Sequence, residues 1–118
     1  MNIRNRFTRS AAVVACGFLV ASAISSATQA QDAKQLYEKN CLACHGASGK
    51  GNGPASKVMK PPPSEFAVAL KGKSDAEIAK VVKEGGKAVG RAASMPGYGS
   101  KLSDEQIQGV TQYIKSLK

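Results

Sequence analysis

The sequence predicts a small all-α fold with three main helices joined by loops. Two segments, which follow Ser74 and Ser103, begin with a capping-box pattern and continue with apolar residues three and four positions apart. A third segment with helical spacing precedes residue 41. No convincing strand pattern occurs in the chain. We therefore expect helices and loops without a sheet.

The first thirty residues are typical of a secretory signal peptide. The segment has arginines at positions 4, 6 and 9, which give it a basic start. The run Ala11–Ile24 is almost wholly apolar or small, and Ala27-Thr28-Gln29-Ala30 has small residues at the cleavage-site positions. We expect residues 1–30 to be removed by cleavage after about Ala30. The sequence therefore predicts export to the periplasm.

The same segment does not favour a permanent membrane anchor. Its apolar run is broken by Gly17 and is short for a membrane-spanning helix of about twenty residues. Lipid attachment at Cys16 stays open as an alternative, because Val13-Val14-Ala15-Cys16 loosely resembles a lipoprotein cleavage box.

Residues 31–118 predict one small domain whose interior needs an additional group. The segment contains only four aromatic residues and no tryptophan. A chain of this size is marginal when its core is built from side chains alone. We expect a buried cofactor to fill the interior, and the polypeptide without it to be poorly folded.

The first helix of this domain is expected to begin near Asp32, whose carboxylate can cap free amides. Ala33, Leu36, Tyr37 and Cys41 fall on one face at helical spacings. That face leads directly into the motif Cys41-Leu42-Ala43-Cys44-His45, in which two thiols two residues apart are followed at once by an imidazole.

This motif is the attachment signature of a c-type haem. On a helical turn the two sulfurs can meet the two vinyl-derived arms of one porphyrin, while the next residue directs its imidazole at the iron. The sequence therefore predicts one covalently attached haem c, with Cys41 and Cys44 as the attachment sites and His45 as an axial ligand.

Two other uses of a Cys-x-x-Cys pair are less well supported. A zinc site needs further ligands, but His45 is the only histidine and Cys16 lies in the predicted signal peptide. A thioredoxin-like redox pair needs a strand before the motif and a parallel sheet around it. Here a helical pattern precedes the motif.

The long segment between the motif and the second helix is expected to be a loop. It is rich in glycine and contains the triplet Pro61-Pro62-Pro63, which cannot continue a helix and disfavours central strand pairing. We expect an ordered wrap over one side of the haem, where glycine permits close approach. The second helix then begins with Ser74 and Glu77 and stops at Gly85-Gly86.

A second axial ligand must come from a residue other than histidine. Two methionines, Met59 and Met95, lie outside the predicted signal peptide, and a thioether is an established partner of histidine in cytochromes c. We expect Met95, because it lies in the turn-rich segment Ser94-Met95-Pro96-Gly97-Tyr98. A gap-filling role is expected for Met59. Ligation by Met59, an open iron and lysine ligation remain as alternatives.

The last helix is expected to begin at Ser103, with Gln106 three residues later, and to bury Ile107, Val110 and Ile114. Gly109 lies in its middle, where a glycine would allow a close crossing with the first helix.

Together these residues resemble the small, soluble class I cytochromes c of bacteria, and the resemblance covers essentially all of residues 31–118. It implies a small cytochrome c fold, with three main helices and loops wrapped around one covalently bound haem. By the same resemblance Cys41 and Cys44 would form the thioether links, and His45 and Met95 would bind the iron. The carbonyl of Pro54 would accept a hydrogen bond from the other nitrogen of His45.

A haem iron bound by histidine and methionine has no vacant position for a substrate, which predicts a one-electron carrier rather than an enzyme. Residues 31–118 contain 14 basic and eight acidic residues, a formal net charge of +6. We expect redox partners with acidic docking surfaces. The lysines are not gathered in a run, which does not favour nucleic-acid binding. A monomer is expected.

Two other functions stay open at this point. The haem could serve as the electron-transfer subunit of a larger oxidoreductase. If Met95 does not bind the iron, a five-coordinate haem could act as an enzyme or bind a gas.

Overall fold

The structure, a computed structural model, describes residues 21–117, with side chains from residue 27 onward. This part of the chain contains no strand. Its five α-helices are α1 (Ala21–Asn40), α2 (Leu42–His45), α3 (Phe66–Ala69), α4 (Asp75–Glu84) and α5 (Asp104–Ser116). Two 3₁₀ helices, Pro54–Val58 and Lys87–Val89, lie in the connecting loops. The predicted all-α class is confirmed, and α1, α4 and α5 are the three main helices.

The N-terminal end of α1 differs from the prediction. We expected the first helix to begin near Asp32, but α1 begins at Ala21 and continues through Asp32, so this start was wrong. Residues 21–31 contain four alanines and no glycine or proline, so nothing in them interrupts a helix. The basic start and most of the apolar run of the predicted signal peptide lie outside the described residues, and its cleavage stays a prediction. None of the described helices is long and apolar enough to span a membrane.

The crossing of α1 and α5 forms the centre of the core. Tyr37 of α1 is fully buried, and its ring lies 5.2 Å from the ring of Tyr113 on α5. A methyl group placed on Gly109 would lie 3.5 Å from the Cβ atom of Ala33, which is itself buried on α1. The expected close crossing at Gly109 is therefore confirmed.

Helix α4 packs against α5 and completes the core through its buried residues Ile78, Ala79 and Val82. Both predicted capping boxes are formed. The Oγ atoms of Ser74 and Ser103 accept hydrogen bonds from backbone N–H groups three residues later, each at 3.2 Å. The α4–α5 pair is also linked at the surface, since Lys83 donates to Asp104 at 2.6 Å.

The loop after α2 is an ordered wrap, as expected. The N–H groups of Gly51 and Gly53 donate to the carbonyls of His45 and Cys44, at 2.9 and 3.1 Å. Further along, the N–H of Phe66 donates to the carbonyl of Gly49 at 2.8 Å, and the Phe66 ring is buried in the core. The loop therefore folds back onto the haem motif before α4 begins.

We predict that Gly109→Ala raises the free energy of unfolding by up to about 1 kcal/mol, because alanine is the better helix former and its methyl group meets Ala33 at an ordinary contact distance. Gly109→Leu should lower it, because the larger side chain must push the two helices apart. Guanidinium unfolding of the haem-loaded protein measures both changes. A strongly destabilised alanine variant would contradict the packing described here.

Glu77 predicts a pH dependence of stability. Its carboxylate accepts hydrogen bonds from the Ser74 N–H at 2.8 Å and from Lys73 Nζ at 3.0 Å, which lower its pKa from 4.5 to about 2. The stabilisation is therefore complete above pH 4.5 and is lost as the pH falls towards 2. We expect Glu77→Gln to be less stable than the parent at neutral pH and equally stable near pH 2.

Denaturant unfolding at several pH values tests this expectation. Glu65→Gln is the matched control, because Glu65 is exposed and its side chain makes no hydrogen bond within the described part of the chain. A constant stability gap between the Glu77 variant and the parent at all pH values would contradict the predicted linkage.

Candidate haem site

The haem motif continues the helical path of α1 through one further turn. The N–H of Cys41 donates to the carbonyl of Tyr37 at 2.8 Å, and the Cys41 carbonyl accepts from the His45 N–H at 2.9 Å. Cys41, Cys44 and His45 consequently line the same cavity. The backbone thus brings together the two thiols and the imidazole as the motif predicted.

Two tyrosine hydroxyls hold the ends of this turn. Tyr37 donates to the carbonyl of Gly46, directly after the motif, at 2.6 Å. Tyr98 donates to the carbonyl of Asn40, directly before the motif, at 2.8 Å. Because Tyr98 follows Met95 by three residues, its bond ties the loop of the expected second ligand to the residue directly before the motif.

Both thiols are free in the polypeptide. Burial raises the pKa of the Cys41 thiol to about 11, with a smaller contribution from the neighbouring Cys44. The Cys41 sulfur therefore stays uncharged at neutral pH. A thioether sulfur is also uncharged, so attachment to a haem arm at this buried position leaves no buried charge.

The environment of His45 favours a neutral imidazole. Burial lowers the pKa of its ring, and the ring stacks on Phe66 with a centroid distance of 4.8 Å. A neutral imidazole has the free electron pair that a metal ligand needs. Nδ1 of His45 is buried and has no hydrogen-bond partner among the described residues. The other ring nitrogen, Nε2, is the one that would bind iron if Nδ1 takes the outer hydrogen bond.

The expected acceptor for Nδ1 is the carbonyl of Pro54. Pro54 begins the 3₁₀ helix that follows the motif, and this helix packs against α2. It does not line the cavity, and the hydrogen bond to His45 is not formed within residues 21–117. The role of Pro54 therefore stays a prediction.

The cavity has a volume of about 660 Å³. This lies within the range of about 300–1,000 Å³ that is typical of sites for small molecules and cofactors. Its wall is formed by the haem motif, the proline triplet, one face of α4 and the loop before α5. The site has the two thiols, imidazole and thioethers that a c-type haem requires, so the residues present fit this group.

Both methionines outside the predicted signal peptide line the cavity, so position alone does not separate Met59 from Met95. They differ in how their backbone is held. Met59 ends a 3₁₀ helix through one hydrogen bond to the Ser56 carbonyl at 3.2 Å. Met95 is bonded on both sides: its carbonyl accepts from the Gly86 N–H at 2.9 Å, and its N–H donates to the Ala92 carbonyl at 3.2 Å.

From the sequence, the glycine pair after α4 was expected only to end the helix. The structure gives Gly86 a second role. A Cβ atom on Gly86 would lie 2.1 Å from the carbonyl oxygen of Ala92 and 3.1 Å from the Cβ atom of Met95. The backbone of the Met95 loop can therefore lie against the end of α4 only because residue 86 has no side chain.

The sequence did not indicate which of the scattered cations, or how many prolines of the triplet, lie at the cavity. The proline triplet was expected as part of a wrap, and the structure places all three prolines in the cavity wall. Lys73, Lys80 and Arg91 add positive charge at the same wall. Three consecutive prolines form a pattern that is visible in the sequence, whereas the three cations are scattered along the chain.

Within residues 21–117, no three His, Cys, Asp or Glu side chains cluster closely enough to hold a metal ion by themselves.

Comparisons with known proteins agree with this geometry. Residues 30–118 match the family model described as Cytochrome c. Cytochrome c6 of Leptolyngbya boryana is 34% identical over 80 residues, which cover 68% of this chain and 82% of that protein. A solved c-type cytochrome, KustC0563, has a TM-score of 0.56 at 24% identity and covers 74% of this chain and 98% of its own. This structural likeness supports the fold.

The chain is also similar to subunits of cbb3-type cytochrome c oxidases. Subunit CcoP of Azospirillum brasilense is 28% identical over 93 residues, which are 79% of this chain and 30% of the subunit. Subunit FixP of Bradyrhizobium diazoefficiens is 30% identical over 84 residues, 71% of this chain and 26% of the subunit. The chain thus spans less than a third of these relatives.

The family match covers the haem motif, the cavity, α4, α5 and the part of α1 from residue 30 onward. The predicted small cytochrome c fold and the covalently attached c-type haem are confirmed, with Cys41 and Cys44 at the spacing that attachment requires. The chain belongs to the cytochrome c family.

Proposed function

We propose that this protein is a periplasmic one-electron carrier whose haem iron is bound by His45 and Met95. The observation that carries the proposal is that Cys41, Cys44, His45 and Met95 line the same cavity. When bound there, the haem supplies a reversible one-electron couple. The signal-peptide pattern of residues 1–30 supports export.

The chain's own residues prepare the site for fast electron transfer. His45 is held on a helical turn whose two ends are bonded by tyrosine hydroxyls, and burial keeps its imidazole neutral. Met95 lies on a loop that is bonded to the end of α4. Two ligands held in this way would change little when the iron changes oxidation state. A thioether ligand opposite histidine raises the reduction potential.

The site also excludes competing chemistry. If His45 and Met95 both hold the haem iron, no position would be left for peroxide or a gas. The face of α4 that carries Ile78, Val81 and Val82 lines the cavity with apolar side chains.

Charge supports a role in transient docking. Only some of the lysines in the described part of the chain form ion pairs, such as Lys34 with Glu38 at 3.8 Å and Lys83 with Asp104 at 2.6 Å. Many exposed lysines are left to attract a partner with an acidic surface, and such steering raises association rates without tight binding. A monomer is the form that suits a diffusing carrier.

The second candidate function is an electron-transfer subunit of a larger oxidoreductase, which the matches to the oxidase subunits CcoP and FixP favour. The match to cytochrome c6 covers most of that small protein and favours the carrier.

The ligand assignment is tested by two substitutions. Met95→Ala should abolish the far-red band of ferric iron bound to methionine sulfur and should lower the reduction potential, because an uncharged sulfur ligand that favours ferrous iron is lost. Met59→Ala should keep the band, since Met59 only fills space at the cavity wall. Visible spectra and redox titration of both variants measure these effects. Loss of the band in the Met59 variant alone would reverse the assignment.

The carrier function is tested by the location and size of the haem-containing protein. We expect cell fractionation to place it in the periplasm, and gel filtration to show one monomer whose mass spectrum fits cleavage after about Ala30 plus one haem. Its rate of electron exchange with an acidic redox protein should fall as salt is added. Stable co-purification with a membrane oxidoreductase, at constant stoichiometry, would instead support the subunit.

A further inference from the structure

We propose that the guanidinium of Arg91 binds a propionate carboxylate of the haem at the rim of the cavity and thereby holds the loop that carries Met95. The first part of this inference needs only the haem site. The second part rests on the proposed ligation by Met95.

The choice of residue type at position 91 points to carboxylate recognition. Residues 31–118 contain thirteen lysines and a single arginine, Arg91. Arginine differs from lysine in offering a planar fork of donors that matches a carboxylate with two parallel hydrogen bonds. The one such fork in the domain lies at the cavity.

The charge balance of the cavity wall leaves this fork without a protein partner. The charged residues of the wall are Lys73, Glu77, Lys80 and Arg91. The Glu77 carboxylate pairs with Lys73 at 3.0 Å and accepts a hydrogen bond from the Ser74 N–H. Arg91 forms no ion pair or side-chain hydrogen bond with any residue in the described part of the chain. A haem would bring two carboxylates to a wall that has an excess of positive charge.

The backbone connects Arg91 to the expected iron ligand. The N–H of Arg91 donates to the carbonyl of Gly86 at 2.7 Å, and the N–H of Gly86 donates to the carbonyl of Met95 at 2.9 Å. Both residues are therefore anchored on Gly86, at the end of α4. A propionate that fixes the Arg91 side chain would restrain the same loop that presents Met95.

Lys80 is the other cation of the wall without an ion pair among residues 21–117, and it lies on α4 rather than on the Met95 loop. An ammonium group on a flexible stem interacts as a point charge and lacks the fork. Lys80 therefore serves as the comparison for an effect of positive charge alone. Lys87 serves as the control, because it is exposed in the 3₁₀ helix of the same loop but does not line the cavity.

The experiment titrates the exported ferric haem protein with imidazole, which competes with methionine for the iron, and follows loss of the far-red band. Arg91→Gln should bind imidazole about threefold to tenfold more tightly than the parent, since the loop is less restrained. The imidazole affinity of Arg91→Lys should lie between those of the parent and Arg91→Gln. Lys87→Gln should remain within about twofold of the parent, and Lys80→Gln should show a smaller increase than Arg91→Gln. Unchanged imidazole affinity in Arg91→Gln, or an equal increase in Lys80→Gln, would overturn the restraint of the loop by Arg91.

A second readout separates this inference from the ligand assignment. After removal of residues 1–30 Arg91 is the only arginine, so its Nε–H gives a single, unambiguous NMR signal. We expect that signal to exchange slowly with solvent and to be shifted by the ferric iron. A fast-exchanging, unshifted signal would overturn the propionate contact. Absence of the far-red band in the parent, with a protected Arg91 signal, would overturn Met95 ligation alone.

Discussion

The helical turn that follows α1 is the constraint on which the rest of the structure depends. It must hold two sulfurs and one imidazole in a fixed arrangement towards a single flat group, and a small displacement of any of them would misplace the other two. The structure meets this constraint by continuing the hydrogen bonding of α1 through Cys41 and by bonding tyrosine hydroxyls to the carbonyls on either side of the turn. Tyr37 performs this task from the centre of the core, where it also packs against Tyr113. Core packing and site geometry therefore share the same side chain.

The opposite wall of the cavity is built on the end of α4. Gly86 lets the Met95 loop lie close to the end of α4, and the Tyr98 hydroxyl bonds that loop to the carbonyl of Asn40, directly before the motif. The two sides of the haem site are thus joined by a direct hydrogen bond as well as through the core. This connection explains how a domain with few aromatic residues can hold His45 and the Met95 loop in a fixed relation, because backbone hydrogen bonds and the cofactor take the place of a larger side-chain core.

The sequence predicted the haem motif, the fold class and both capping boxes because each depends on local spacing or on a continuous helical face. The predicted start of α1 was wrong, since an N-capping residue such as Asp32 marks the start of a helix only where the preceding residues are not themselves helical. The contact between His45 and Phe66 was not foreseen, because it joins residues from two segments whose relative position depends on the path of a glycine-rich loop.

By itself, the sequence determined that this chain carries a covalently attached haem between helices, because the attachment chemistry needs only five consecutive residues and the helices need only periodic apolar positions and caps. The tertiary structure decided which distant residues meet at that haem. It placed Gly86 beneath the Met95 loop, brought Tyr98 to the carbonyl of Asn40, and left Arg91 at the cavity without a partner among residues 21–117. Such contacts depend on how the chain returns on itself after each loop, and residue spacing along the chain does not encode that path in any local pattern.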